Sequence, residues 1–251
     1  MAVVLNVRRV RQALFEQAGG SQMAGDGQPS TQLLGQFFHD IFEELVDQSG
    51  PRNWVAALED QESAQEHWRQ TLSDHTYRRL VAFRLQRHQA ALHSSAEQVC
   101  LFWEAVQNLC DWMVELLWTV HQSTGRLPEP ESLVRSEQAL ELELREPGWS
   151  DAVRLVGIAD AVWRVPGKNA WCVAELKLGQ THQQADLGQA CLYHLMLQAA
   201  NGTQPAGTLA LVSFKPRREE QLFQSARLET AQRELKHLIG QLAGVVPPAA
   251  E

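Results

Sequence analysis

Gly157-Ile158-Ala159-Asp160 and, nine residues further on, Ala170-Trp171-Cys172-Val173-Ala174-Glu175-Leu176-Lys177 are the stretch that decides the fold of this 251-residue chain. Side chains alternate along a strand, so Glu175 and Lys177 share one face while Ala174 and Leu176 occupy the other. Between the two apolar runs stands Pro166-Gly167-Lys168-Asn169, a turn signal that folds the second run back against the first. The hairpin can therefore place Asp160 beside Glu175. Two carboxylates converging from adjacent strands form a hard oxygen site suited to magnesium or manganese. A lysine two residues from such a carboxylate can orient or deprotonate a water and offset developing phosphate charge. Taken alone, an ExK tripeptide is common by chance and reads as polar positions on a half-exposed hairpin.

Working outward, the chain before this hairpin is helical. A short helix is expected from Val7 to Gln17, then a loop or linker from Gly19 to Ser30, rich in Gly, Ser and Gln. Helices follow over roughly 31–48, 52–70, 74–93 and 95–123, the first capped by Ser30 or Thr31. The last is apolar on more than one face (Val99, Phe102, Val106, Leu109, Met113, Leu117), so it should lie buried between neighbours. After Leu127-Pro128-Glu129-Pro130 come short alternating runs, Ala139–Leu144, Val153–Trp163 and Ala170–Leu176, which read as strands. A helix from Gln183 to Ala200, an apolar strand Thr208–Phe214 and a helix from Arg217 to Leu242 complete the pattern. The expected organisation is an N-terminal segment and loop (1–30), a helical region (31–130), a mixed α/β core (131–243) and a disordered tail (244–251).

Composition bounds the rest. Hydrophobic residues make up 44% and charged residues 21%, an ordinary globular balance. No run approaches the length of a membrane span, so no membrane partner is expected. The apolar start Met1–Leu5 precedes Arg8, Arg9 and Arg11, the reverse of a secretory signal, and a cytoplasmic location is expected. Cys100, Cys110, Cys172 and Cys191 show no CxxC pair and read as buried or semi-buried thiols in a reducing compartment. No GxxxxGK[ST] motif is present, so no nucleotide cofactor or ATPase motor is expected. The net charge of −8 argues against coating nucleic acid by bulk electrostatics. It does not argue against a nuclease, because carboxylates that hold divalent cations present positive charge to a phosphate.

A glycine, an aspartate within one strand and an apolar strand ending in ExK together resemble the PD-(D/E)XK nuclease superfamily. Two further motifs are similar to its RecB-like branch: Gln189-Ala190-Cys191-Leu192-Tyr193, a QxxxY on the helix after the ExK strand, and Gly35-Gln36-Phe37-Phe38-His39-Asp40-Ile41-Phe42-Glu43, a GxxxHxxxE far upstream. Glu137 also stands where related proteins often carry a glutamate. The resemblance covers about residues 31–215, and its strength lies in the order of the motifs.

It implies a restriction-endonuclease-like core, a mixed central sheet flanked by helices, with an N-terminal helical insertion. It also implies a DNA nuclease of repair, recombination or defence against foreign DNA that leaves a 5′-phosphate. One or two Mg2+ or Mn2+ ions would be held by His39, Asp160, Glu175 and the carbonyl of Leu176. Lys177 would position the attacking water, and Gln189 and Tyr193 would align the strand, with Gly35, Glu43 and Glu137 in support. The cysteines depart from the arrangement of iron–sulfur members, so no cluster is expected. Two other readings stay open: a non-catalytic DNA-binding or scaffold subunit, and an enzyme that works only with a helicase or another subunit.

Weaker candidates surround this set. Arg78, Arg79, Arg84, Arg87, His88 and His93 share a stretch with few acids, and read equally as a phosphate-contacting surface or a solvated helix face. Lys215, Arg217 and Arg218 could meet a DNA backbone, though surface charge flanking a helix is the plainer reading. Glu43 shares a helical face with His39, whereas Glu44 is turned about a hundred degrees away. Trp103, Trp112 and Trp118 read as core. Neither Trp163 nor Trp171 reads as a base-stacking residue.

Overall fold

Apolar runs bounded by turn residues become strands when both faces can be covered, and here they build one six-stranded mixed sheet. The computed structural model describes residues 2–18, 29–47, 54–59, 64–92, 96–164, 171–178, 183–201, 209–214, 217–223 and 225–246. In chain order the elements are β1 (Val3–Asn6), α1 (Val7–Gln17), α2 (Pro29–Val46), α3 (Ala56–Glu59), α4 (Gln65–Thr76), a π-helical turn (Tyr77–Val81), α5 (Ala82–Arg87) and α6 (Gln89–Leu92). Then follow α7 (Ala96–Thr124), α8 (Pro130–Leu133), β2 (Val134–Leu144), β3 (Val153–Arg164), β4 (Trp171–Lys177), α9 (Gln183–Asn201), β5 (Leu209–Ser213), β6 (Glu219–Phe223) and α10 (Ser225–Leu242).

β3 is the hub. Along one edge β2 pairs antiparallel, from Val134 opposite Trp163 to Leu144 opposite Val153. A strand has two edges, so β1 and β4 must share the other. β1 pairs parallel with Val153–Val156, and β4 antiparallel with Ala161–Arg164. Between them, Gly157–Asp160 has no strand partner on that edge among the described residues. The sheet forks there. α9 carries the chain from β4 to β5, which pairs parallel with β4, and β6 covers the outer edge of β5.

Each face of the sheet has its own core. Cys172, Ala174, Leu176, Ala210, Val212 and Phe214 pack under the helical region, against α2 and α7. Val173, Leu209 and Leu211 pack against α1, α9 and α10. Alternation along β4 and β5 thus feeds both layers, which is why both strands read as nearly continuous apolar runs.

Along β2 and β3 the alternation slips. Leu140 and Leu144 belong to the second core but Val134, also even-numbered, to the first; Ala159 belongs to the second and Ala161 to the first. The slip falls at Glu137 and Asp160, which face one another across the pair. Glu137 holds φ 48°, a left-handed conformation that a β-carbon makes unfavourable. That turn of the backbone redirects side chains of both strands.

Several elements differ from the sequence expectation. Val3–Asn6 forms a strand, and Val7 and Val10 are fully buried, so residues of the N-terminal segment are part of the core. β2 begins at Val134, which puts Glu137 inside the strand instead of before it. The helix expected over 52–70 is α3 and α4, with 60–63 outside the described residues; that over 74–93 is interrupted by the π-helical turn. The helix expected from Arg217 starts at Ser225, because Glu219–Phe223 is recruited as an exposed edge strand by the open side of β5. Its polar residues give no apolar alternation to read. The tail expected to be disordered from Gly244 is anchored at Val245, which is buried, donates its N–H to Gly240 O and accepts from Ser150 N; residues 247–251 lie outside the described part. Cys100 is exposed, while the other three thiols are buried. Among the described residues no helix is long and apolar enough to cross a membrane.

α1 is tied to α9 by a partly buried ion pair, Arg11 Nε and Nη2 on Asp186 Oδ1 at 2.9 and 2.8 Å, with Arg11 32% and Asp186 1% exposed. Removing the cation leaves a buried carboxylate poorly compensated. Arg11→Met is therefore expected to lower stability by on the order of 2–3 kcal/mol in urea unfolding. A shift under about 0.5 kcal/mol would show that the pair contributes little.

Gly157 lies beneath α1 and α9. A β-carbon there would stand 2.7 Å from Tyr193 Cε1 and 3.0 Å from Val7 Cγ2. An aromatic ring and a β-branched side chain cannot yield cheaply, so Gly157→Ala is expected to cost about 1–3 kcal/mol. Thermal melts check this, and an unchanged midpoint would contradict the packing.

Candidate active site

The fork in the sheet brings the acidic side chains together. β3 and β4 pair as far as Ala161 opposite Ala174, and then diverge. At the point of divergence the Leu176 N–H donates to Asp160 Oδ2 at 3.0 Å, so a side chain takes over where the backbone ladder stops. Glu175, the next residue of β4, is 2% exposed. Asp160 and Glu175 both line a pocket of about 350 Å³ together with Arg8, Arg11, Gln12, His39, Ile158 and Gln189.

Each wall has a separate origin. His39 comes from α2, whose Phe38, Ile41 and Phe42 are buried and fix its rotation; Phe38 also packs on Phe214, with ring centroids 5.2 Å apart. Gln189 comes from α9, and Arg8, Arg11 and Gln12 from α1. His39, Glu137 and Asp160 each offer a ligand atom, and these atoms lie within 4.8 Å of one another. One imidazole and two carboxylates at that spacing, with the buried carboxylate of Glu175 in the adjoining pocket, suit a divalent cation with oxygen and nitrogen ligands. The left-handed backbone of Glu137 belongs to this cluster, as local strain often does at functional sites.

Gln189 and Tyr193 are neighbours one helical turn apart, and Gln189 Nε2 donates to Tyr193 Oη at 3.5 Å. Burial pushes the Tyr193 phenol up to about 12; the Gln189 hydrogen bond and Arg8 oppose this, while Glu175 and Asp160 add to it. A phenol so placed stays protonated through the neutral range.

The structure thus gathers His39, Asp160, Glu175 and Gln189 in one pocket, with Tyr193 buried behind Gln189. Leu176 is buried and contributes its N–H to Asp160. Lys177 pairs with Ser213 through the backbone of β4 and β5, and its side chain lies outside the described part, as does Lys215. Arg78, Arg79, Arg217 and Glu43 are exposed and line no wall of this pocket. Gly35 has open space where a β-carbon would stand, so nothing steric demands glycine there. Arg84 is engaged with Glu44, and Arg218 with Glu115 at 2.6 Å. Trp112 and Trp163 are buried and meet edge to face, at 5.3 Å.

The residues that the sequence did not single out are Arg8, Arg11, Gln12 and Ile158, and the direct place of Glu137 beside His39 and Asp160. A signal for the first three was present. Val7, Val10 and Leu14 repeat at helical spacing, which leaves 8, 11 and 12 together on another face.

No protein with a curated description matches the chain by sequence. Among solved structures, SSO0001 shares 16% identity over 62% of this chain and 70% of its own, with a TM-score of 0.29. A Eubacterium rectale protein named as a candidate exonuclease shares 7% identity over 92% of this chain and 89% of its own, with a TM-score of 0.37. VC1899 from Vibrio cholerae shares 15% identity over 84% and 56%, with a TM-score of 0.25. Likenesses this distant carry no argument about activity. The family match is of another order: over residues 11–251, nearly the whole length, the chain fits the PD-(D/E)XK nuclease superfamily, and it is a member of that superfamily.

Proposed function

We propose that the chain is a divalent-metal-dependent deoxyribonuclease of the RecB-like kind, with Asp160, Glu175, Lys177, Gln189 and Tyr193 as its reactive set. The observation that supports this reading is the convergence of His39, Asp160 and Glu175, separated by up to 136 positions in the chain, on a single pocket at the fork of the sheet. Nucleases of this superfamily depend on divalent metal. His39, Glu137, Asp160 and Glu175 would hold Mg2+ or Mn2+ here, with the carbonyl of Leu176 as a further ligand. When bound, the ion supplies Lewis acidity at the phosphoryl oxygen and lowers the pKa of a water.

The chain's own groups do the rest. Asp160, fixed by the Leu176 N–H, presents its carboxylate at a set angle. Lys177, two residues along the same strand from Glu175, orients the attacking water. The water oxygen bonds to phosphorus as the P–O3′ bond breaks; the water gives up a proton to solvent, and the 3′-oxygen takes one. The products are a 5′-phosphate and a 3′-hydroxyl. The Tyr193 phenol holds Gln189, whose amide lines the pocket and aligns the strand being cut.

Longer-range contacts to DNA would fall on the exposed Arg78 and Arg79 of the π-helical turn. Tyr77 of that turn and Phe83 of α5 are also exposed, 47% and 61%, so bases could stack beside the cations. Arg217 and Lys215, after β5, would extend the path. Repair, recombination or defence against foreign DNA is the setting such an enzyme suits. A helicase or another subunit would supply any processive motion.

Lys177→Ala and Asp160→Ala are expected to lower cleavage of labelled linear DNA in Mn2+ by about 10²–10⁴-fold without unfolding the chain. Equal cleavage by either variant would remove it from the mechanism. Wild-type protein that binds DNA but cuts under no metal, alone or with a partner, would favour the scaffold reading.

Glu137 gives a separable test of the metal cluster. Glu137→Gly relieves the left-handed strain, so its melting point should equal or exceed the wild type's, by up to about 1 kcal/mol of stability. Its Mn2+ affinity by calorimetry should fall on the order of ten- to a hundredfold. Unchanged affinity would show that Glu137 is not a ligand.

A further inference from the structure

α1 is not an appendage to the pocket but one of its walls. Val7 and Val10 are fully buried, and Asn6 caps the helix by accepting the Arg8 N–H at 2.8 Å. Arg8, Arg11 and Gln12 stand three and four residues apart, on one stripe, and all three line the pocket that holds Asp160, Glu175 and His39. Two of the three are committed. Arg11 is paired with the buried Asp186, and Gln12 Nε2 donates to Glu16 Oε1 at 2.8 Å.

Arg8 is different. Among the described residues its guanidinium has no acidic partner, although an arginine beside two carboxylates would be expected to take one. It is near enough to Tyr193 to stabilise the phenolate. The same pocket is lined by Gln189, 6% exposed, whose Oε1 is buried without a hydrogen-bond partner among the described residues. A buried amide oxygen without a donor is costly unless a bound group or its water completes it. The pocket lining therefore holds two acids, a cation with no acidic partner among the described residues and an unmet acceptor. Once the acids face a divalent cation, the group that completes the set is an anion that bridges cation and guanidinium. An arginine fork fits phosphate oxygens in this way.

We propose that Arg8 is a substrate-phosphate ligand: it grips the nucleic-acid phosphodiester at the reacting position or next to it, and Arg11, locked by Asp186, holds α1 in register for that contact. The inference rests on the nuclease reading for the identity of the anion. Arg8 lies outside the span of the family match, which begins at residue 11, so the contact is one the family assignment does not supply.

The test is binding without turnover. A fluorescein-labelled single-stranded oligodeoxynucleotide is titrated with full-length protein in Ca2+, at salt concentrations between about 50 and 200 mM. The wild type is compared with Arg8→Gln and Arg8→Lys, with thermal melts confirming the fold of each. Arg8→Gln should weaken binding about tenfold and reduce the slope of log K against log salt by about one. Arg8→Lys should restore the slope, because the charge returns, while recovering only part of the affinity, because the fork does not. Calorimetric Mn2+ affinity should be the same in all three.

Wild-type affinity and slope in Arg8→Gln would overturn the proposal, as would a wild type that binds no oligonucleotide. Loss of affinity with an unchanged slope would make Arg8 a structural residue and overturn it too. The nuclease reading fails separately: a protein that binds with the expected slope yet cuts in no metal, or that still cuts as Lys177→Ala, leaves the Arg8 contact standing and removes the catalytic assignment.

Discussion

A single hydrogen bond, from the Leu176 N–H to Asp160 Oδ2, marks where the sheet stops being a sheet and becomes a site. Had β4 continued to pair with β3 beyond Ala174, backbone groups would have satisfied one another and no cleft could open. Had β4 simply peeled away, the Leu176 N–H would have been left in a buried setting, at a cost of about 1–3 kcal/mol. The Asp160 side chain resolves the conflict by accepting that N–H with Oδ2. The same contact therefore ends the ladder, fixes the carboxylate and sets its distance from Glu175. On the opposite side of the gap β1 takes up the β3 edge at Val153–Val156, so among the described residues this edge is left open at Gly157–Asp160.

The slip of alternation at Glu137 and Asp160 follows from this geometry. A regular β2–β3 ribbon would put every second residue on one face, so β3 could not bury both Ala159 against α9 and Ala161 beneath the helical region. The positive φ of Glu137 turns the ribbon at the one level where a side chain of β3 must point along the sheet edge toward the cleft. The strain of that conformation, about 1–2 kcal/mol, is set against packing gained on two faces. Glu137 is the residue that can use the position chemically, since its own carboxylate then meets His39.

Much of this was legible in the sequence because it was written in local patterns. Alternation and the Pro-Gly-Lys-Asn turn gave the β3–β4 hairpin, and the four-residue spacing of Gln189 and Tyr193 gave one helical face. The element Val7–Gln17 was read with the bounds it has. What escaped was non-local. β1 is four residues long and acquires its meaning only by pairing in parallel with Val153–Val156, nearly 150 positions away. β6 is polar and exists because β5 has an open edge. The π-helical turn at Tyr77–Val81 adds a residue to a helical turn without any sequence sign. In sequence Arg8 and Arg11 speak only against a secretory signal, since nothing in residues 1–17 says that α1 will dock beside α9. The family resemblance named His39 across more than a hundred intervening residues; periodicity could not have done so.

An acidic chain that handles a polyanion has to separate its charges. The net charge is −8, and between exposed groups salt at physiological strength screens charge beyond about 8 Å. Cations cluster locally in α1 and in the helical stretch from Tyr77 to Leu92, where no acid interrupts Arg78, Arg79, Arg84 and Arg87. Of these, Arg84 is spent on Glu44 and secures the stretch to α2, the helix that presents His39. Arg8 and Arg11 of α1 line one pocket with Asp160 and Glu175, so the local field at the cleft is set by these neighbours and not by the chain's total.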